Sequence, residues 1–182
     1  KATSHPIPII CVGNLSMGGS GKTPHVIYLI KILKKKYNVA VLSRGYKRKS
    51  KGFQYVENKN TALEIGDEPL LIKQIYSDII VAVEKNRNKG VKKIMHDFPK
   101  TDVIILDDGF QHRYINAGLN ILLTSFYNPF FNDKIFPLGN LRENIKNKNR
   151  ADIVLVTKCP KELNPIHKKE ILQKLDLLKN QN

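Results

Sequence analysis

Residues 7–23 (IPIICVGNLSMGGSGKT) constrain this chain more than any other segment. Residues 7–12 are apolar and read as a buried strand. Residues 13–21 form a glycine-rich loop, and residues 23–36 carry Val26, Leu29, Ile30 and Leu33 on one face of a helix. A phosphate-binding loop requires this order of strand, loop and helix. Glycines let successive backbone N–H groups turn toward phosphate oxygens, and the helix N-terminus adds partial positive charge. Gly18, Gly19, Ser20, Gly21, Lys22, Thr23 and Pro24 are therefore the expected nucleotide-binding residues. Lys22 would reach the terminal phosphates, and the Thr23 hydroxyl would ligate magnesium. The generic spacing G-x-x-x-x-G-K-[ST] puts its first glycine at position 16, where this chain has Ser16. A turn that only capped a helix would not require Gly-Lys-Thr after a buried strand. No structural partner is expected for the charge of Lys22.

The same alternation continues along the chain. Further apolar strands are expected at residues 39–42, 79–83, 103–106, 120–124 and 153–156, and helices at 68–76, 86–98 and 165–179. Short continuous apolar strands between amphipathic helices predict an α/β fold: a phosphate-loop NTPase-like, mostly parallel sheet with helices on both faces. Residues 46–62 read as a polar loop with a short hairpin near 53–56, and residues 144–150 as a linker or exposed loop. Residues 1–160 are expected to form one phosphate-loop domain. Residues 161–182 would be a helix leading toward a second lobe that lies outside this chain.

Of 182 residues, 41% are hydrophobic and 26% charged, as in globular domains. The longest apolar run, residues 7–12, is far short of the roughly 20 residues of a membrane span. Cys11 and Cys159 are distant in sequence and lie in apolar runs, which argues against a disulfide framework and for a reducing compartment. The chain starts at Lys1 without an initiator methionine and reads as a fragment. The net charge of +15 has two sources that sequence does not separate. One is a polyanionic partner. The other is codon usage: 25 of the 31 basic residues are lysine, and Lys, Asn and Ile, which share A/T-rich codons, occur 63 times.

Asp107-Asp108 end an apolar strand on the same sheet edge as the phosphate loop, where an aspartate holds magnesium in phosphate-loop enzymes. In Gly66-Asp67-Glu68-Pro69, Asp67 is either a helix cap or a base that accepts a proton from a hydroxyl. Gln111 and His112 follow the aspartate pair and would face the nucleotide or an acceptor. Arg44, Lys47 and Arg48 begin at a strand end and would bind an anionic group, unless they form a solvated basic loop. Arg142 and Glu143 lie in a further loop, where a surface ion pair is the simpler account.

Five motifs occur in order: VGNLSMGGSGKTP (12–24), SRGYKRK (43–49), GDEP (66–69), DDGFQHR (107–113) and FPLGNLRE (136–143). Together they resemble the tetraacyldisaccharide 4′-kinase family of lipid A synthesis, over residues 8–159. That family shares the Ser16 variation, but its last motif reads nearer P-A-G-P-L-R-E. The resemblance implies an ATP- and Mg2+-dependent kinase acting on a phosphoglycolipid acceptor, peripheral to the cytoplasmic face of the bacterial inner membrane. It further implies Lys22 and Thr23 at nucleotide and metal, Asp107 and Asp108 near magnesium with Glu143 as a further ligand, and Asp67 as general base. Arg44, Lys47, Arg48, Gln111, His112 and Arg142 are the expected acceptor contacts. The family's supporting histidine lies in a C-terminal lobe, and its membrane-associating helix at the N-terminus; neither is in these 182 residues.

The alternative class is a phosphate-loop ATPase or GTPase that drives a protein partner or metallocentre maturation, for which water is the attacking group. No nucleic-acid partner is expected, because no reading motif or aromatic platform accompanies the charge. The sequence does not set the oligomeric state.

Overall fold

The strand that feeds the glycine-rich loop, β1 (Ile9–Asn14), is paired on both sides in the computed structural model, which describes residues 2–182. β5 (Val103–Asp107) runs parallel along one edge in the register Ile9↔Ile104 to Val12↔Asp107. β6 (Leu119–Ser125) runs parallel along the other, from Ile10↔Leu119 to Asn14↔Leu123. With β2 (Val39–Ser43), β3 (Gln54–Tyr55), β4 (Ile80–Val83) and β7 (Ile153–Thr157), the sheet order is β3-β4-β2-β5-β1-β6-β7. Every pairing is parallel except β3 with β4 at the edge. All five residues of β2 and of β5 are buried, as expected of strands covered on both faces.

Alternation along the strands divides the core. Val39, Val41, Val81, Val83 and Ile105 join Val26 and Ile30 of α1 (Lys22–Leu33) and Ile72 of α3 (Asp67–Ile75). Ala40, Leu42, Ala82, Ile104 and Leu106 join Val91 and Ile94 of α4 (Arg87–Asp97) on the opposite face. A third cluster, with Leu15, Phe110, Leu122, Phe130, Leu141 and Leu175, lies under the C-terminal segments.

Several segments depart from expectation. Residues 46–62 contain β3 rather than a complete hairpin and lead into a four-residue helix, α2 (Ala62–Ile65), where Glu64 accepts from Thr61 N at 2.8 Å. Gly66, not Asp67, is the N-cap of α3, so Asp67 is its first helical residue. Residues 144–150 are no open linker: Ile145–Arg150 is a 3₁₀ helix with Lys148 buried, its ammonium donating to the carbonyl of Asp176. The last segment packs back on the sheet. α5 (Pro165–Leu175) buries Leu175, Gln181 donates to the carbonyls of Lys148 (2.8 Å) and Ala151 (2.7 Å), and Val154 N donates to Asn182 O at 2.8 Å. Cys11 is buried, which pushes its thiol up to about 12, while Cys159 is exposed rather than part of an apolar core. No described helix is long and apolar enough to cross a membrane.

Candidate active site

Parallel strands bring every loop at their C-terminal ends to one edge, and there the chain forms a cleft of about 780 Å³. Its floor is the loop that leaves β1 at Asn14 and enters α1 at Lys22. Gly21, the N-cap of α1, has φ 83° and ψ 23°, a left-handed conformation that glycine adopts without Cβ strain. The loop is tied from several sides. Thr157 Oγ1 donates to Ser20 O at 2.9 Å, Met17 N to Asn140 O at 2.6 Å, and Arg142 N to Leu15 O at 2.7 Å. Asn14 Nδ2 donates to Ser16 O at 2.7 Å, and Gln111 Nε2 to Asn14 O at 2.7 Å. Position 16 thus participates through its backbone, which a serine provides as well as a glycine.

Lys22 does have partners, contrary to the sequence reading. Its Nζ is 3.5 Å from Asp108 Oδ1 and donates to Asn14 Oδ1 at 3.4 Å. Arg142 Nη1 reaches both oxygens of Asp108, at 3.1 and 3.0 Å. Burial works against the Asp108 charge, but Lys22 and Arg142 outweigh it and hold the carboxyl below its usual range. Asp107 is the opposite case. It is fully buried, Ser43 Oγ donates to Oδ2 at 3.2 Å, and Oδ1 has no partner among the described residues. Burial, with Glu68 and Asp108 adding negative potential, pushes its carboxyl up to about 6. Two adjacent acids therefore differ because cations outweigh burial at Asp108, whereas burial outweighs Ser43 and Lys22 at Asp107.

The donor set fits magnesium. The Asp108 carboxylate and the Thr23 hydroxyl are hard oxygen donors that line the cleft, and the adjacent, buried Asp107 keeps an unpartnered Oδ1. Among the described residues no three His, Cys, Asp or Glu side chains form a metal cluster. Magnesium commonly takes only one or two carboxylates and completes its shell with water and phosphate.

The remaining expected residues divide. Arg44, Gln111, His112 and Arg142 line the cleft. His112 is pushed down to about 4 by burial and by the positive charge of Arg87 and Arg44. Arg48 is committed elsewhere: its guanidinium donates to Ser50 Oγ at 3.4 Å and Gly52 O at 2.5 Å, closing its own loop. Lys47 lies over the Tyr46 ring, 5.4 Å from its centroid. Glu143 does not line the cleft. Arg150 Nη2 donates to its two oxygens at 2.9 and 2.8 Å and Arg113 Nη2 at 2.7 Å, so both oxygens are engaged by guanidinium groups. Asp67 is exposed on the first turn of α3, while its neighbour Glu68 lines the cleft. Glu68 and the buried Arg87 were not singled out by sequence. GDEP signals an acidic turn but not which of two consecutive side chains turns inward, and Arg87 lies in a basic helical stretch with no motif.

The family model for tetraacyldisaccharide-1-P 4′-kinase matches residues 1–181. The chain belongs to this family. It is 50% identical over 178 residues to a tetraacyldisaccharide 4′-kinase of Bacteroides fragilis, covering 97% of this chain and 47% of the relative. It is 49% identical over 177 residues to one of Flavobacterium johnsoniae, covering 97% and 52%. The chain thus spans about half the length of the curated tetraacyldisaccharide 4′-kinases it matches. A crystal structure of "apo" form LpxK from Aquifex aeolicus in complex with ATP superposes with a TM-score of 0.79 at 40% identity, covering 91% of this chain and 54% of the other. The part of the tetraacyldisaccharide 4′-kinase fold that this chain spans is accordingly the α/β, mostly parallel architecture described above.

Proposed function

We propose that this chain is the nucleotide-binding part of a kinase that transfers the γ-phosphoryl group of ATP to the 4′-hydroxyl of a tetraacyldisaccharide 1-phosphate in lipid A synthesis. One observation carries the reading: Lys22 and the Asp107-Asp108 pair converge on one phosphate loop, with Lys22 Nζ 3.5 Å from Asp108 and one buried oxygen of Asp107 free. The family's name and the ATP complex of its Aquifex aeolicus member support it.

Phosphoryl transfer requires mainly in-line positioning and charge stabilisation. Lys22 and the amides of residues 18–23 orient the terminal phosphates. Thr23, Asp107 and Asp108 would hold magnesium, with Glu68 as a further oxygen at the cleft wall. Magnesium bound with ATP neutralises charge on the transferred group. Asp67, on the first turn of α3 where the helix dipole favours its carboxylate, accepts the proton of the attacking hydroxyl. Arg44, Gln111, His112 and Arg142 face the acceptor, and the basic surface suits a peripheral position on an anionic inner-membrane face.

Transfer from radiolabelled ATP to the tetraacyl acceptor, measured for a full-length relative and its Asp67→Asn counterpart, tests this. Acceptor-dependent label transfer that falls by about 100-fold or more in the variant is expected. Full nucleotide turnover without acceptor would instead indicate a hydrolase. The 182-residue chain is expected to bind Mg-ATP.

A further inference from the structure

Arg150 belongs to none of the motifs gathered at the cleft, yet its guanidinium bridges two of them. Nη1 donates to Phe110 O at 2.7 Å, and Nη2 to the two oxygens of Glu143 at 2.9 and 2.8 Å. The group also stacks on the Phe110 ring, 4.3 Å from its centroid. Its mount is fixed. Arg150 closes the 3₁₀ helix Ile145–Arg150, in which Lys148 donates to Asp176 O. Gln181 donates to the carbonyls on either side of Arg150's turn, Lys148 O at 2.8 Å and Ala151 O at 2.7 Å. A planar fork held in this way fixes both the distance and the direction of what it grips.

What it grips leads into the cleft. Glu143 Oε1 also accepts from Gln111 Nε2 at 3.2 Å, and the same amide nitrogen donates to Asn14 O at 2.7 Å. A carboxylate and a carbonyl only accept, so both take the nitrogen of Gln111. Its oxygen is left facing Arg142 Nη1, 3.4 Å away, and a guanidinium only donates. The amide therefore has one orientation that satisfies all three neighbours. Arg142 Nη1 also holds Asp108 at 3.1 and 3.0 Å, and Asp108 faces Lys22 Nζ at 3.5 Å. The contacts thus run from Arg150 through Glu143, Gln111, Arg142 and Asp108 to Lys22. The last four of these residues line the cleft, and the first two stand behind it.

We propose that Arg150 is a positioning residue for the nucleotide cleft and that it acts through Glu143. The carboxylate, clamped by Arg150 and by Arg113 at 2.7 Å, fixes the Gln111 amide, which in turn keeps Arg142 on Asp108. Glu143 serves as a hydrogen-bond acceptor and not as a magnesium ligand. An acid is needed at this position. A glutamine there offers NH2 or oxygen equally, and Gln111 is then free to turn its own NH2 toward Arg142, donor against donor. The proposal rests on the reading of the cleft as a nucleotide site.

Four forms of this chain test it: wild type, Arg150→Lys, Glu143→Gln and the double variant. Arg150→Lys keeps the charge but replaces the fork with one ammonium, and it carries the test by itself where Glu143→Gln does not fold. Mg-ADP affinity is measured by calorimetry on samples whose amide NMR spectrum shows them folded, and the side-chain NH2 signals of Gln111 are followed. Each single variant weakens Mg-ADP binding by about tenfold, the equivalent of one weakened charged hydrogen bond. The double variant binds no more weakly than either, because both act along one path. The Gln111 NH2 signals move in both single variants, a change that a general loss of stability does not produce. Unchanged affinity in Arg150→Lys, or Gln111 signals that stay in place, overturns the proposal. Losses that multiply in the double variant do the same. A higher Mg2+ concentration for half-maximal ADP binding in Glu143→Gln, but not in Arg150→Lys, makes Glu143 a metal ligand and also overturns it. A wild-type chain that binds no Mg-ADP overturns the nucleotide reading and the proposal together, whereas a binding wild type with indifferent variants overturns the proposal alone.

Discussion

Lys22 and Asp108 face each other across the mouth of the phosphate loop, Nζ to Oδ1 3.5 Å, and Arg142 holds the same carboxylate from 3.0 Å. The lysine that would meet nucleotide phosphates is thereby already aimed and kept extended by an acid on the neighbouring strand end. Lys22 and Arg142, the latter from a distant loop, together hold that acid below its usual range.

Lys22→Ala should therefore weaken nucleotide binding without unfolding the chain. Hydrogen bonds to charged groups contribute about 1.5–3 kcal/mol, so affinity for Mg-ATP falls by roughly 10- to 150-fold by calorimetry. Asp108 retains Arg142, and the thermal midpoint stays within a few degrees. A large fall in that midpoint would show that Lys22 is a structural residue first.

Gly13→Ala tests a close approach between β1 and the turn after the aspartate pair. A Cβ at Gly13 would lie 2.5 Å from Phe110 Cβ and 2.9 Å from Phe110 N, and backbone cannot yield as a side-chain end can. Overpacking of this kind costs about 1–3 kcal/mol. Urea unfolding should show that loss, and Mg-ATP affinity should fall with it as residues 109–112 are pushed from the cleft.

His112 supplies a pH dependence. Burial and the charges of Arg87 and Arg44 push it down to about 4 in the native state, against an ordinary value near 6.5 when unfolded. Between those values the unfolded chain binds more protons, so this group's contribution is complete above about pH 6.5 and is lost as pH falls toward 4. In His112→Asn that part of the acid slope, at most about 1.4 kcal/mol per pH unit, disappears. Urea unfolding at several pH values between 4.5 and 7.5 checks it; a pH-independent difference between the two proteins would show normal titration.

Arg150 joins two clusters: it pairs with Glu143, donates to Phe110 O at 2.7 Å and stacks on the Phe110 ring at 4.3 Å. Arg150→Ala should destabilise by about 1–3 kcal/mol, leaving the nearly buried Glu143 with Arg113. A double-mutant cycle with Glu143→Gln should return a coupling of about 0.5–3 kcal/mol. No coupling would leave Glu143 free for another role.

Much of the fold was legible because each buried parallel strand carries its own signal, a short β-branched run between helices of 3.6 periodicity. The strand ends were less so. Asn14, Ser43, Asp107 and Thr157 are polar yet continue their strands, because the neighbouring strand supplies their pairing. The stretch 144–150 reads as solvated from its lysines and asparagines, but Lys148 is buried because a carbonyl 28 residues away meets its ammonium. Within the site, the phosphate loop and the aspartate pair were legible because each follows a recognisable strand. The engagement of Glu143 by two arginines was not, nor was the inward turn of Glu68.

The sequence by itself determined the strand–loop–helix unit, the alternation that builds a parallel sheet and the identity of the residues gathered at its edge, since these depend on neighbours within a few positions. Only the tertiary structure decided which charges meet. Lys22 finds Asp108, Arg142 comes from a third loop to the same carboxylate, and Arg87 is left in a concavity without an anion. Pairing of charges follows from distances between segments that the chain order does not encode, and burial then decides whether each group is held ionised, as Asp108 is, or pushed toward neutrality, as Asp107 is.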